Sequence, residues 1–488
     1  MTGTAFGPRR PRRRAFRLGT ASVALVLTAG GAAPLRAQEP ARTDSTAAVA
    51  PQPQPRPYLA ALEGLGLNVL VNRFDAWVRD ARDLDGLAWA RVTPRTWSRN
   101  IRLGWTWDTD AFVTNMFAHP YHGSMYFNAG RANGLDFWES APLAFLGSLT
   151  WEYFGEDYQP SMNDFYNTGF GGIALGEVYH RLGALIRDNG RRGAGRLLRE
   201  LAAFPLDPMG SLDRLLHGGF TRVGPNPPDR HPGTLGLVVQ GGGRVAVDSG
   251  AGGNAASSSF LADLAYGDPF RQPYRTPFDV FHVRLQVSPD GGGVNILRVS
   301  GRLWAQEFTP AFKTARHFLT VNQKSEYLSS PAYKFGGQSV EVGLVSGFVA
   351  ARGVDVRTEL YAEGLMMGAV DARNTGIPGS ERTYDFGPGG GVVATASLQV
   401  RGAPVLSARY RWAYLHSVSG SSADHYTQFA SVETVLPVTP VVGLGAYAGL
   451  YRRRSSYRGQ LGEATHFPEL RIFLTWQPNR TPSLSEDP

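Results

Sequence analysis

The sequence predicts an α+β chain: an N-terminal helical domain followed by an antiparallel β-barrel of about twelve strands, of the outer-membrane kind. Three observations predict it. The first 37 residues carry seven arginines and no acid, ahead of an apolar run too short to span a bilayer. From Tyr58 to about residue 219, apolar residues recur every three to four positions. Beyond about Thr221 the period falls to two and stays there almost to the end.

Taken in order, residues 1–37 read as a secretory signal peptide. Arg9, Arg10, Arg12, Arg13, Arg14, Arg17 and Arg36 surround the apolar stretch Ala21–Ala33, and Ala37 supplies the small residue for cleavage. Arg13–Leu18 (RRAFRL) also has the form of a twin-arginine signal, so the export route stays open. The formal charge of +8 over 488 residues falls to +1 once those seven arginines are removed. The basic balance therefore belongs to the export signal, and a nucleic-acid partner is not expected. The absence of cysteine excludes disulfide scaffolds, thiolate metal sites and cysteine nucleophiles.

Residues 38–57 (with PQPQPRP) read as a Pro-rich linker and 58–219 as the helical domain. Leu62, Leu65, Val69, Val71, Phe74, Trp77 and Val78 fall approximately on one helical face, and Ile173–Leu185 and Ala194–Leu201 are further amphipathic candidates. Residues 220–478 are expected to form the barrel and 479–488 a polar tail. In the barrel region Val354, Val356, Leu360 and Ala362 alternate with Asp355, Arg357, Glu359 and Glu363. Leu470, Ile472, Leu474 and Trp476 likewise alternate with Glu469, Arg471 and Thr475. Such strands fit a soluble barrel with an apolar interior or a membrane barrel with a polar lumen. Several charges per strand, strand lengths of about ten or more, and aromatic residues near strand ends favour the membrane barrel. The twelve polar residues after Trp476 are the feature that runs against it.

The densest polar constellation spans Trp105–Arg181. It contains Asn115, His119-Pro120-Tyr121-x-Gly123, Tyr126, Arg131-x-Asn133-Gly134, Trp151-Glu152-Tyr153, Glu156, Pro160-Ser161-x-Asn163-Asp164 and Gly172-x-x-x-Gly176-Glu177. These motifs, over roughly 100–130 residues, resemble a bacterial envelope family known only as a domain of unknown function. The resemblance implies a helical head followed by a β-rich part, and it supplies no established reaction. A fainter resemblance is to VanZ-like proteins, whose His, Glu, Asp and Gly-rich order is matched by His119, Glu152, Asp164, Asn167 and Gly172. An Asp-Lys pair that precedes that His in the group is here Asn115 and Met116.

On physical grounds His119, being followed by proline, is expected outside the helical region, with Pro120 opening a new helix. His122 lies about one turn on; Glu152 and Glu156, and Glu177 and His180, have one-face helical spacing. Histidines and carboxylates without thiols could hold zinc or iron, or His119 with a carboxylate could act as a general base with Ser161 as nucleophile. Each has a plainer reading: Ser161 as a helix cap, His119 as a core hydrogen-bonder, Glu152 and Glu156 paired with Arg131 or Arg181. The Glu177-x-x-His180 spacing is half of a di-iron signature whose other half is missing. The candidate catalytic residues are thus His119, Glu152, Asp164 and Ser161. The candidate binding residues are Asn115, His122, Tyr126, Arg131, Glu156, Asn163, Asn167 and Glu177. No cofactor is specified by the sequence. The expectation is an exported outer-membrane protein with a periplasmic-side helical domain, its partners outer-membrane lipid and an envelope lipid or cell-wall ligand. Its role is structural or binding in lipid or cell-wall handling. The alternatives are a hydrolase or acyl-transfer enzyme on an envelope lipid, and a passive pore.

Overall fold

The computed structural model describes residues 54–81, 88–230, 232–247, 254–289, 293–308, 315–372, 382–480 and 483–486. The export signal and most of the linker lie outside the described residues. Helices α1 (Pro57–Ala81), α2 (Pro94–Leu103), α3 (His119–Ala132), α4 (Phe137–Thr150), α5 (Met162–Tyr166), α6 (Gly172–Ile186), α7 (Ala194–Ala203) and α8 (Pro208–Leu216) come first. Capping boxes start two of them, Thr93 with Thr96 at α2 and Asp136 with Glu139 at α4.

Twelve strands follow: β1 (Leu235–Val247), β2 (Asn254–Tyr266), β3 (Phe281–Ser288), β4 (Gly293–Phe308), β5 (Ala315–Ser329) and β6 (Lys334–Ala351), then β7 (Val354–Asp371), β8 (Tyr384–Val400), β9 (Ala403–His416), β10 (Ala423–Pro437), β11 (Val442–Tyr457) and β12 (Glu463–Asn479). Each pairs antiparallel with its sequence neighbours, and β1 pairs with β12 to close the barrel. Closure leaves no free strand edge. The turn between β8 and β9 needs two left-handed residues, Arg401 (φ 50°) and Gly402 (φ 73°), the geometry that suits a two-residue hairpin.

Contacts between strands that are not neighbours identify the lumen. Gln240 on β1 donates to Glu433 on β10 (2.8 Å), and Arg471 on β12 to Gln286 on β3 (3.2 Å). Arg411 on β9 reaches Glu363 on β7 (3.0 Å) and Glu326 on β5 (3.6 Å). Charged parity therefore faces inward, as the alternation requires. At one rim Leu328, Tyr333, Phe335, Leu415, Tyr451 and Phe467 pack together inside. Near the other, Phe270 and Leu484 pack among Phe318, Val345, Tyr361 and Val393. Leu484 belongs to the polar tail, which turns back so that its backbone N–H donates to Asp355 (2.8 Å). Of the residues after Trp476, Gln477–Asn479 finish β12 and 483–486 pack at that mouth, an arrangement compatible with a closed barrel.

Outward parity divides into two regions. Over β9–β12 it is bare: Leu406, Val432, Leu444, Leu470, Ile472, Leu474 and Trp476 are exposed. Over β2–β8 much of it is covered by the helices. Near the rim that holds the strand termini, Phe127, Phe137, Ile173, Leu175 and Val178 pack on Tyr266, Phe281 and Val299, and Phe137 stacks on Phe278. Near the opposite rim Phe112 meets Tyr327 and Tyr384, and Trp107 meets Phe386. Val299 neighbours the lumen residue Arg298, so these helices lie on the outer wall between the two rims. The helical part is accordingly a layer against the barrel wall.

Helix α1 inverts the expected burial. Its Asn68 and Asn72 are buried, Asn72 donating to the carbonyls of Ala90 (2.9 Å) and Gly155 (2.8 Å). Its Leu62, Leu65, Val69, Phe74 and Trp77 are exposed, Leu62 by 64% and Trp77 by 65%. Among the described residues no helix is long and apolar enough to cross a membrane.

Candidate functional site at the helix–barrel boundary

The site depends on one close helix crossing. A Cβ on Gly123 of α3 would lie 1.8 Å from the Thr168 carbonyl oxygen, and one on Gly172 of α6 would lie 2.4 Å from the Gly123 carbonyl carbon. Glycine at both positions lets the backbones touch. That contact brings the HPYxG segment against the PSxND segment.

Three π-helical turns flank the crossing, at Thr114–Ala118, Trp151–Gly155 and Asn167–Gly171. The first corrects the expectation for His119. This residue is helical (φ −63°, ψ −47°), because the wider turn before it accommodates the ring of Pro120 without ending the helix. The histidine therefore projects from a rigid, continuous element.

Around it converge Asp108, Asn115, Asn163 and Asp164. Asn163 Nδ2 lies 2.7 Å from Asp108 Oδ1, 3.0 Å from Asn115 Oδ1 and 2.9 Å from Asp164 Oδ1. Asn115 donates to Asp108 (3.1 Å) and meets the Tyr384 hydroxyl of β8 at 2.6 Å. His119 Nε2 sits 3.2 Å from Asp164 Oδ1, yet without hydrogen-bond alignment. Asp108, His119 and Asp164 each present one ligand atom within 4.8 Å of the others. Arg382 donates to the backbone carbonyl of Asp108 (3.2 Å) and to the Ser419 hydroxyl (2.9 Å).

Burial and mutual repulsion set the protonation. Desolvation first, then Asp164, pushes the Asp108 carboxyl up to about 7. Glu156 is pushed up to about 8 by burial and by Asp110 and Asp108. Glu152 and Asp164 are raised well above the usual range by burial, then by Glu156. His119 is lowered by burial, against the pull of Asp108 and Asp110. Carboxylates with raised values beside a histidine are a frequent mark of functional sites.

The remaining sequence candidates divide. Glu152 belongs to the cluster and accepts from the Ser161 backbone N–H (2.7 Å). Ser161 is a helix cap: its Oγ accepts from the Asp164 N–H (3.4 Å) and donates to Asn163 Oδ1 (3.0 Å). Asn167 is buried one turn beyond Asn163. His122 and Tyr126 are joined to each other (2.9 Å), with Tyr126 also bonded to Asn68, and burial lowers His122 to about 3. Glu177 and Arg131 form a separate network: Glu177 is ion-paired with Arg131 (2.9 Å) and accepts from Arg181 (2.8 Å). Arg131 and Arg181 are thereby paired with Glu177 and not with Glu152 or Glu156. His180 lies 3.8 Å from Asp229, and Glu177 is held by the two arginines.

Sequence reasoning missed Asp108 as a site residue, although it lies in the stretch Trp105–Asp110 (WTWDTD) just ahead of Asn115. It also missed Tyr384 and Arg382, more than 250 positions away, for which the sequence carries no signal. A second row was missed too. His425 bridges Asp385 (2.9 Å) and Ser455 (2.8 Å) inside the barrel, with all three buried.

Residues 104–209 match the family described as Domain of unknown function (DUF3943). That stretch holds the whole helical side of the site and less than half of the chain. No curated protein matches. Among solved structures, the outer membrane channel DcaP of Acinetobacter baumannii aligns at 8% identity over 50% of this chain and 96% of its own, with a TM-score of 0.23. The NanC porin aligns at 8% identity over 49% and 98%, with a TM-score of 0.26. The outer membrane protease OmpT of Escherichia coli aligns at 8% over 50% and 97%, with a TM-score of 0.18. TM-scores this low carry no weight for activity or location, and the closed twelve-stranded barrel rests on its own strand pairing.

Proposed function

We propose that this is an exported outer-membrane protein whose barrel is a scaffold and whose working part is the helical layer on its outer wall, handling an envelope lipid or cell-wall ligand. One observation carries the reading. The Asp108–His119–Asp164 group is closed on one side by the outward-facing Tyr384 and Phe386 of the barrel, the parity that would meet lipid. The exposed apolar belt of β9–β12 and the outward apolar face of α1 support immersion in a bilayer, since water would penalise both. The apolar clusters at both mouths and the ion pairs across the lumen support a scaffold over a passive pore, and negligible conductance is expected from the purified protein in planar bilayers.

Immersion is tested at Ile472, which is 69% exposed between Leu470 and Leu474. Ile472→Arg is expected to cost about 2–4 kcal/mol in a lipid-facing position. The measure is the unfolding midpoint in phospholipid vesicles; an unchanged or raised midpoint would indicate an aqueous surface. For the ligand role, envelope lipids of cells carrying wild type, His119→Ala and Asp164→Asn are compared by mass spectrometry. A shift shared by both folded variants is expected, and unchanged profiles would remove lipid handling.

A hydrolase or acyl-transfer reading is favoured by the convergence of His119 on two carboxylates, one pushed up to about 7. In that reading His119 and Asp164 activate water or an acceptor hydroxyl. Ser161, committed to its capping and Asn163 bonds, holds Asp164 in place.

A further inference from the structure

We propose that Asp108, His119 and Asp164 bind one divalent first-row transition-metal ion: manganese, iron(II) or zinc. The proposal stands on geometry and on unspent polar groups. The three ligand atoms lie within 4.8 Å of one another, with His119 Nε2 3.2 Å from Asp164 Oδ1. Ligand atoms about 2.0–2.1 Å from a tetrahedral ion stand about 3.3 Å apart, so a small closure of side chains forms the site. The misalignment of the His119–Asp164 pair fits two donors aimed at a common point better than a hydrogen bond between them.

Asn115 and Asn163 position the Asp108 and Asp164 carboxylates as neutral donors, which fix place without supplying charge. The guanidinium of Arg382 donates to carbonyls of Asp108 and Tyr384 and to Ser419. Asn167 supplies an independent sign of a ligand. One turn beyond Asn163 and Asp164, on the same helical face, it is 0% exposed and neither its amide nitrogen nor its oxygen has a partner. A buried amide left without partners costs free energy unless something meets it, and a water or substrate oxygen on the ion would do so. One imidazole and two carboxylates without thiolate suit ions of intermediate hardness.

This site does not rest on the lipid reading: bound metal with unchanged lipids would retire that reading alone. The test uses the full-length protein in detergent micelles, showing heat-modifiable migration. It is dialysed against Mn²⁺, Fe²⁺ (anaerobically) or Zn²⁺ and then against metal-free buffer, and metal per chain is counted by mass spectrometry. Close to one equivalent of at least one ion is expected, falling at least tenfold in His119→Ala and Asp164→Asn and unchanged in His416→Ala. Retention below a tenth of an equivalent of all three ions, or equal retention in both site variants, overturns the proposal. A measurement on wild type alone covers variants that fail to fold. Added Co²⁺ is expected to give the visible spectrum of a histidine–carboxylate complex, and the spectrum of the hydrated ion alone would refute the site.

Discussion

Gly123→Val is expected to detach the helical layer from itself and from the wall while the barrel remains assembled. Its Cβ would stand 1.8 Å from the Thr168 carbonyl oxygen and 2.9 Å from the Gly172 Cα. Both obstacles are backbone, so no rotamer change relieves them and α3 and α6 must part. The cost is expected to exceed the ~1–3 kcal/mol of ordinary overpacking. Parting the helices also separates His119 from Asp164, which ties this substitution to function. Limited proteolysis reads the helical layer and heat-modifiable migration reads the barrel. Wild-type protease resistance in Gly123→Val would show that the crossing is not as close as described.

Arg411→Met is expected to lower the stability of the barrel by about 3–5 kcal/mol, the cost of leaving buried charge without its partner. Arg411 holds Glu363 at 3.0 Å and stands 3.6 Å from Glu326, in a lumen lattice that also pairs Lys324 with Glu341 (2.6 Å) and Glu363 (2.7 Å). Removing Arg411 leaves Glu363 with the Lys324 ammonium that it shares with Glu341. The second substitution Glu363→Gln in the Arg411→Met background is expected to restore most of the loss, because it removes the charge left over. Urea unfolding in micelles measures both. A single variant as stable as wild type would mean that lumen water, and not the lattice, solvates these acids.

Most strands could be read from alternation wherever one face meets the lumen and the other is bare, as in β7, β9 and β12. Strands β1 and β5 lack such alternation. Strand β5 is polar on both parities, because Lys324 and Glu326 face the lumen while Gln323 lies under the helices and donates to the Phe170 carbonyl (2.8 Å). Strand β1 carries the run Gly241–Gly243, which has no side chains to alternate. The helix pattern of α1 was visible but its direction was not. Periodicity locates an apolar stripe and is silent on whether protein or another apolar medium covers it.

For the site, sequence by itself determined the residue types and the segments that carry them. These are a helix opening at the His119-Pro120 pair and a capped Ser-x-Asn-Asp turn, with charged and apolar parities kept apart along the strands. Local rules reach that far because caps and periods act within a few residues. Only the tertiary structure decided that Asp108 completes the cluster, that Glu177 and Arg131 stand apart from it, and that the helices lie against the outside of the barrel. Those outcomes depend on which surfaces meet across long separations. That choice is made by the total burial of apolar area and by the pairing of buried charge, quantities that no short window of sequence contains.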